Sequence, residues 1–490
     1  MKTRLRYRVG CVGCILTAIA GCTVGPDYVP VKPDAPTDWN TQLPPGLQRD
    51  PASLSQWWTK LNDPQLTALV ERAVEGNLSL LQAAQRIHEA RAQRAIASAG
   101  QFPTLTATGS ATRSEFSQNS IYQGLTDNFY SAGFDASWEL DLFGRIQRQV
   151  EVGDALVTAS EEAYRDMLVT LIAEVALNYV EVRLFQERLA VLKANEATQS
   201  QTLELVKANV EAGQVSRLDL EQSSTNLELT RSQIPSIETG LEQSKNRLAV
   251  LLGLQPGALQ GELDTITDIP LPPPTIAVGV PAEALRRRPD VRRAERELAA
   301  QTAQVGVATA DLYPRFHLLG SIGLDSMGSA DLLSRSSESF GIGPSMQWAV
   351  FDAGRIRANI EVQTSRQQQA LLAYESTVLE ALRNVEDAIL AYGKEKLRND
   401  ALTLAEQSAA RAVTIAQDRY DMGETSFLSV LDAQRSLLSI QDQLAISSAR
   451  STSLAITLYK ALGGGWSSLA PEPDPSTTDH QINDPKGNQP

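Results

Sequence analysis

Apolar residues recur every three or four positions along two long stretches of the chain, which predicts two long α-helices. From Leu168, alternating steps of three and four lead to Val210 through mostly apolar positions, and the pattern returns over residues 378–420. A sustained seven-residue period is typical of a helix that supercoils against its neighbours. No Pro or Gly interrupts residues 154–212. Residues 145–212 therefore predict one helix of about 100 Å.

Four shorter stretches alternate apolar with polar or small residues, which predicts β-strands. The alternation is unbroken over residues 130–142 and recurs in shorter form over residues 104–111. The second half of the chain shows it again after Phe316 and after Phe340. Taken alone, this alternation favours half-buried strands of a soluble β-sandwich. Strands of about ten such residues with an aromatic near the end also fit a membrane β-barrel.

The two halves of the chain repeat each other at an offset of 210 residues. The run Gly-Arg-Ile at 144–146 recurs at 354–356, and Gly213 recurs as Gly423. Because this offset holds over most of the chain with almost no slippage, it indicates a duplicated structural unit. Each unit is expected to hold a β-hairpin, a long helix and a shorter returning helix. Gly213 and Gly423 are the expected helix-tip turns between the helices, because Gly adopts the left-handed conformation that ends a helix at low cost.

The first residues have the pattern of an exported lipoprotein. Four basic residues and no acidic one precede an apolar run, residues 9–20, that is shorter than the roughly 20 residues needed to span a bilayer. The run ends in Ile-Ala-Gly before Cys22 and resembles the lipobox of bacterial lipoproteins, so we expect cleavage before Cys22 and its acylation. A disulfide at Cys22 has little support, because the only other cysteines, Cys11 and Cys14, precede the cleavage site. By the same resemblance, the absence of Asp at position 23 favours the outer membrane.

Composition disfavours catalysis and nucleic-acid binding. The 490 residues include 58 acidic and 44 basic side chains, and so acidic a surface repels phosphate backbones. Three His and three Cys leave little material for a metal site or a thiol enzyme. His88 and His317 lie far apart without ligand spacing around them, and no pair of carboxylates stands out for acid–base chemistry. We therefore expect no enzymatic activity, no metal, and no cofactor other than the covalent lipid on Cys22.

These patterns predict an α+β chain in five parts. They are a signal peptide (1–21), a lipidated extended segment (22–60), a first repeat (61–270) with a β-hairpin (104–142) and a coiled coil (145–253), a second repeat (271–465) with a β-hairpin (315–351) and a coiled coil (355–463), and a C-terminal tail (466–490). The tail is rich in Pro, Asp, Asn and Ser and is expected to be disordered.

Four strands cannot close a membrane barrel on their own. Even eight strands enclose only an interior filled by side chains, and an open sheet in lipid leaves its edges without hydrogen-bond partners. If these strands lie in a membrane, several copies of the chain must combine them. Three copies supply 12 strands, which leave room for an open lumen.

Five groups of residues carry a resemblance to a known family. They are spread over nearly the whole mature chain, and they are fairly specific together although none would suffice alone. They are Gly21-Cys22-Thr23-Val24-Gly25-Pro26-Asp27-Tyr28, Trp57-Trp58, Leu61-Asn62-Asp63-Pro64-Gln65-Leu66, Leu285-Arg286-Arg287-Arg288-Pro289-Asp290 and Leu428-Ser429-Val430-Leu431-Asp432-Ala433-Gln434. With these residues the chain resembles the outer membrane factors, the TolC-like channels of bacterial export systems, in their lipoprotein (NodT-type) branch.

The resemblance implies a fold, a function and partners. The fold would be a homotrimer with a 12-strand β-barrel in the outer membrane, continued by a long α-helical coiled-coil barrel across the periplasm. The function would be the exit duct of a tripartite efflux pump for drugs or other small toxic compounds. The partners would be a periplasmic adaptor (membrane fusion protein), an inner-membrane transporter, often of the proton-driven RND class, and outer membrane lipids.

The same resemblance places a gate at the helix-tip turns. It implies that Asp432 projects an acidic ring into the periplasmic aperture and that Leu428 narrows it, and such a ring would attract cations. The alternative for Asp432 is a solvated acid on a helix face. Asp219 and Tyr420 match positions that link the coils in the closed state of relatives, although Tyr420 also lies on the heptad seam, where core packing explains it equally well. Thr425 stands where some relatives carry a linking Arg.

Two other functions stay open at this point. Within transport, the same fold would serve as a duct for protein or metal-ion export with a different pump. From another class, the chain would be a lipid-anchored periplasmic coiled-coil scaffold without a pore. The small and acidic residues on one face of residues 131–141 discriminate between the classes, because they suit a wet lumen and a scaffold would not need them.

Overall fold

The computed structural model describes residues 23–33, 35–50, 54–119, 121, 124–467 and 469. The predicted signal peptide, Cys22 and nearly all of the predicted tail lie outside the described residues. Their assignments stay predictions.

The described residues form eight α-helices, six β-strands and two short 3-10 turns. In chain order they are β1 (Leu47–Gln48), a 3-10 turn (Trp57–Leu61), α1 (Pro64–Gly76), α2 (Leu78–Ala99), β2 (Thr104–Glu115), β3 (Thr126–Leu140), α3 (Arg145–Glu211), α4 (Arg217–Leu251), β4 (Ile276–Ala277), α5 (Pro281–Arg287), α6 (Pro289–Ala310), β5 (Arg315–Ser326), a 3-10 turn (Arg335–Ser337), β6 (Glu338–Gln347), α7 (Arg355–Asp421) and α8 (Phe427–Ala461).

The helices repeat with the offset seen in the sequence. Helices α3 and α7 each have 67 residues, and the returning helices α4 and α8 each have 35. Every boundary of the first pair recurs 210 residues later in the second pair. The predicted heptad seams are buried in both long helices at residues such as Leu171, Val175, Val182, Val385 and Ala388. Among the described residues, no helix is both long and apolar enough to cross a lipid bilayer.

The four long strands form one antiparallel sheet in the order β2-β3-β5-β6. Each repeat contributes one hairpin, β2–β3 or β5–β6, and the strands β3 and β5 join the two repeats at the centre of the sheet. Within the described part of the chain, the outer edges of β2 and β6 have no partner strand. The short strands β1 and β4 form a separate parallel pair.

The chain divides into two compact units that cut across the repeats. One unit comprises residues 85–162 and 292–377, with the described residues up to 32, and so contains the four-stranded sheet. The other comprises residues 33–84 and 163–291 together with the described residues from 378 onward, and so contains both helix turns. Each repeat therefore contributes to each unit.

Residues of two of the motifs pack in the core of the unit that contains the helix turns. Trp57 stacks on Tyr459 with ring centroids 5.2 Å apart, and Trp58 packs edge-on to Trp57 at 6.0 Å. Asp63 accepts hydrogen bonds from the first backbone N–H groups of α1 and thereby caps that helix. The hydroxyl of Tyr179 also donates to Asp63, at 2.6 Å. Burial, together with that hydrogen bond, raises the pKa of Tyr179 to about 12, so the hydroxyl remains a donor at neutral pH.

A buried arginine fastens the start of the described chain in the unit that contains the sheet. The side chain of Arg148 is 4 % exposed and donates to Asp27 Oδ1 at 2.6 Å, to Glu151 Oε2 at 2.7 Å and to the carbonyl of Val24 at 3.2 Å. The N–H of Val24 in turn donates to the carbonyl of Phe143 at 3.2 Å. The segment that follows Cys22 is therefore fixed to the residues between β3 and α3.

Candidate functional site

One face of the four-stranded sheet carries small polar and acidic side chains. Residues directly opposite each other in paired strands share a face, so the register assigns the faces. Cross-strand hydrogen bonds run along this polar face, from Thr108 to Asp135 at 3.0 Å and between Ser110 and Ser131 at 2.9 Å. The polar face comprises Thr104, Thr106, Thr108, Ser110, Thr112, Ser114, Asp127, Ser131, Gly133, Asp135, Ser137, Glu139, Arg315, His317, Ser321, Gly323, Asp325, Ser339, Gly341, Gly343, Ser345 and Gln347, with two apolar members, Phe129 and Leu319.

The opposite face is apolar and largely uncovered. Phe340 is 85 % exposed, Ile342 78 % and Phe134 53 %. An apolar area of this extent on a soluble monomer marks a surface that contacts lipid or another protein. Trp138 and Trp348, which correspond at the offset of 210, lie near the ends of the strands and donate their indole N–H groups to backbone carbonyls at 2.9 and 3.0 Å.

The first turn, residues 212–216, is closed by local hydrogen bonds. Gly213 has a φ of 69°, the left-handed conformation predicted for it. Ser216 and Asp219 form a capping box, in which the Ser216 hydroxyl accepts from the Asp219 N–H at 3.3 Å and the Asp219 carboxylate accepts from the Ser216 N–H at 3.1 Å. The side-chain cap of this turn uses only groups of its own helix, and Val215 and Leu220 also pack against residues of α3 and α8.

The second turn, residues 422–426, is held by apolar packing. Gly423 has a φ of 75°, but Ser426 makes no side-chain cap. Instead Phe427 is buried in a cluster with Val430 and Leu431 of α8 and Val206 of α3. Leu428 and Asp432, the predicted aperture residues, point outward from this packed face: Leu428 is 48 % exposed and Asp432 is exposed as well.

Tyr420, one of the two predicted closed-state link residues, packs at the second turn without using its hydroxyl. Its ring lies 5.3 Å from that of Phe427, and the buried hydroxyl makes no hydrogen bond within the described chain. Asp219, its predicted partner, bonds to Ser216. Burial raises the pKa of Tyr420, and the negative charges of Asp219 and Asp421 raise it further. The described structure shows no hydrogen bond between these two side chains, and the closed-state link stays a prediction.

Three polar contacts that the sequence analysis missed join the first helix pair to α8. Arg188 of α3 binds Asp442 with two hydrogen bonds of 2.6 and 3.2 Å. Asn195 of α3 donates to Gln441 at 3.2 Å. In the third contact, Arg435 donates to Asn226 of α4 at 2.9 Å. No local pattern marks these residues, because each pair joins positions more than 200 residues apart.

The described residues contain no group of three or more His, Cys, Asp or Glu side chains that could hold a metal ion. These residues instead provide two exposed polar regions. One is the row of hydroxyls and carboxylates along the polar face of the sheet. The other is Asp432, which lies with the exposed Leu428 beside the second helix turn.

The comparisons with known proteins agree with the duplication. The family model for outer membrane efflux proteins matches the chain twice, over residues 69–254 and 280–464. These two matches cover most of the chain, and each begins at the first helices of a repeat and ends just after its returning helix.

Individual relatives match over almost their whole length. Nodulation protein T of Rhizobium leguminosarum bv. trifolii is 33 % identical over 456 residues, which cover 92 % of this chain and 96 % of the relative. The toluene efflux pump outer membrane protein TtgI of Pseudomonas putida is 32 % identical over 467 residues, which cover 92 % and 97 %. The solved structure of the outer-membrane channel OprN is 36 % identical, has a TM-score of 0.85, and matches over 91 % of this chain and 100 % of its own. The chain belongs to the outer membrane efflux protein family.

Proposed function

We propose that this protein is the exit duct of a tripartite efflux pump. It works as a homotrimer in the outer membrane and passes drugs or other small toxic compounds to the exterior. It receives them from a periplasmic adaptor and an inner-membrane transporter of the RND class. The family assignment supports export across the outer membrane, and the toluene efflux pump among the relatives supports small organic substrates.

The two faces and two free edges of the four-stranded sheet carry this proposal. An apolar face suits lipid, and a face of hydroxyls and carboxylates suits a water-filled lumen. Backbone groups at a sheet edge in lipid have no water to bond, so the edges must pair with other strands. Three copies of the chain supply 12 strands, enough for a closed barrel with an open interior.

The gate is formed at the two helix turns. Asp432 from three copies forms an acidic ring and Leu428 narrows the passage, which the exposure of both side chains permits. Asp219 and Tyr420 link the two helix pairs in the closed state. Contact of the adaptor with the turns at Gly213 and Gly423 releases the second pair.

The lipid anchor is Cys22, and the contacts of the next residues support an anchor close to the strands. Thr23 lies against Gly144, where any Cβ would come within 2.7 Å of the Thr23 side chain. Val24 is hydrogen-bonded to Phe143, directly after β3. Acyl chains on Cys22 therefore start beside the end of a strand that the proposal places in the membrane.

Conductance of the purified, lipidated protein in a planar bilayer tests the pore and its constriction. We expect small, cation-selective steps from the wild type, and larger and less selective steps from Asp432→Ala. Gln222 corresponds to Asp432 at the offset of 210, so the control is its neighbour: Glu221→Ala removes the same charge from α4 and is expected to leave conductance unchanged. A stable assembly that conducts in none of these forms would favour the scaffold.

Antibiotic entry tests the closed-state link. Cells that carry Tyr420→Phe together with Asp219→Ala are expected to admit large antibiotics several-fold faster than the wild type. Asp219→Ala alone opens the capping box as well, so Ser216→Ala is the control that removes the cap and leaves the carboxylate. Entry unchanged in the double variant would contradict the link.

A further inference from the structure

The duplication gives the sheet an internal example of the contact between two copies of the chain. Strand β3 closes the first hairpin and pairs with β5, which opens the second. In a ring of copies, β6 closes the second hairpin and meets β2, which opens the first hairpin of the next copy. The β3–β5 seam and the seam between copies therefore join corresponding strands.

The correspondence between the strands is fixed residue by residue. The hairpin pairs Thr104 with Ser137 in the first repeat and Arg315 with Gln347 in the second. Strand β5 therefore follows β2 at an offset of 211, and β6 follows β3 at 210. The same offset of 211 relates Phe102 to Tyr313 just before the strands.

We propose that β6 of one copy pairs antiparallel with β2 of the next in the register of the β3–β5 seam. This inference rests on the proposed trimer and specifies its contact. The observed pair of Asp135 with Ser321 becomes Ser345 opposite Ser110 of the partner subunit. By the same shift, Met346 lies opposite Gly109 of the partner subunit and Gln347 opposite Thr108 of the partner subunit.

The side-chain faces support this register independently. In the proposed pairing Ser345 and Gln347 meet polar-face residues, and Met346 meets the apolar face. A slip of one residue would place Met346 opposite Ser110 of the partner subunit and would reverse the faces along the whole seam. The register derived from the repeat therefore also keeps both faces of the sheet continuous from copy to copy.

The exposure of the edge strand β2 agrees with pairing to a strand of another copy. All 12 residues of β2 are exposed, on both faces, although the strand is fully paired with β3 on its other side. A long edge that carries no charge from Thr104 to Thr112 is a template for another strand. Pro344, on β6, has no N–H, so the ladder of that strand loses one hydrogen bond at most, which edge positions tolerate.

Disulfide trapping tests the register, because Cys22 is the only cysteine after the predicted cleavage site. Residues opposite each other in antiparallel strands have Cα atoms about 4.5–5.5 Å apart, within the range that a disulfide bridges. Ser110→Cys combined with Ser345→Cys is therefore expected to give covalent dimers and trimers on oxidation in intact membranes. A reductant is expected to abolish them.

Pairs slipped by two residues are the matched controls, since they lie on the same face. Ser345→Cys combined with Thr108→Cys or with Thr112→Cys places the Cα atoms about 7–8 Å apart, so we expect on the order of tenfold less cross-linking. Each single-cysteine variant should give no covalent trimer on oxidation. The pair Gln347→Cys with Thr108→Cys is a second test in the proposed register, in case the first variant does not assemble.

The outcomes separate the register from the proposed function. Cross-linking that is strongest in a slipped pair would overturn the register and keep the trimer. A wild type that assembles and conducts, but cross-links in neither proposed pair, would overturn the seam. A wild type that neither assembles nor conducts would overturn the proposed function itself.

Discussion

The two helix turns share a backbone conformation but are stabilised by different side-chain contacts. Gly213 and Gly423 adopt nearly the same left-handed conformation, with helices of equal length on either side. The first turn is closed by the hydrogen bonds of Ser216 and Asp219, whereas the second depends on Phe427 packing against the first helix pair. Backbone hydrogen bonds close both turns, so the turns differ in what each adds: a side-chain cap in the first and a buried aromatic ring in the second.

The other ends of the returning helices are capped with the same geometry but with different charge. In α4, the carbonyl of the last residue, Leu251, accepts a hydrogen bond of 2.8 Å from the Asn77 side chain of the same repeat. In α8, the carbonyl of the last residue, Ala461, accepts one of 2.8 Å from the Arg288 side chain of its own repeat. Asn77 is neutral, whereas Arg288 is also paired with Asp290 at 2.6 Å. Duplication has preserved the geometry of the cap and changed its charge.

Removing the aromatic ring of the second turn should have the largest effect. Phe427→Ala deletes a buried aromatic side chain, which typically costs about 3–5 kcal/mol. We expect fast hydrogen exchange over residues 427–435 and entry of large antibiotics into cells. Arg217→Ala, at the corresponding exposed position of the first turn, is the control and should change neither measurement. Unaltered exchange in Phe427→Ala would show that the second turn is held in some other way.

Breaking the ion pair between the helix pairs should have the next largest effect. The side chains of Arg188 and Asp442 are 23 % and 35 % exposed, so a double-mutant cycle is expected to give a coupling of about 1 kcal/mol. That corresponds to roughly a fivefold change in the open population, measured as antibiotic entry. Arg247 and Glu181 form a comparable pair within the first helix pair. Their removal should leave entry unchanged, and equal effects of the two pairs would contradict a special role for Arg188.

The two capping serines should differ in an effect confined to the first turn of each helix. Ser216→Ala removes the capping box and is expected to destabilise the start of α4 by about 1 kcal/mol. Ser426→Ala removes no side-chain hydrogen bond from α8 and should have almost no effect. Hydrogen exchange at the first turns of both helices measures the difference. Equal losses at both positions would contradict the local character of the first turn.

Glu187 should give the smallest effect and the clearest dependence on pH. Burial raises the pKa of Glu187, and the charge of Asp268 raises it further. Because the ionised form is disfavoured in the fold, the penalty is present at neutral pH and is relieved as the pH falls through the folded pKa towards 4.5. Glu187→Gln should therefore raise the melting temperature at pH 7 and not at pH 4. Leu397 occupies the corresponding position in the second repeat and does not ionise, so no dependence of stability on pH is expected from that position.

Local sequence patterns predicted the helices and strands, but they did not predict the contacts between distant segments. The heptads from Leu168 to Val210 and the alternation over residues 130–142 predicted α3 and β3, because periodicity reflects which side of an element is buried. Arg188 and Asp442 could not be paired in advance, since a charge on a helix face does not reveal which distant helix it meets. Pro235 lies inside α4, which runs over residues 217–251, and the kink that a proline predicts there stays a prediction.

The short distance from Cys22 to the Arg148 contacts has a consequence for assembly. One residue, Thr23, separates the proposed lipid from the hydrogen bond between Val24 and Phe143. An acyl chain on Cys22, as proposed, would therefore have a very high effective concentration at the end of β3. With that lipid in the bilayer, the strands of the proposed trimer would search for their partners in two dimensions and at a fixed depth, and copies of the chain would meet already aligned.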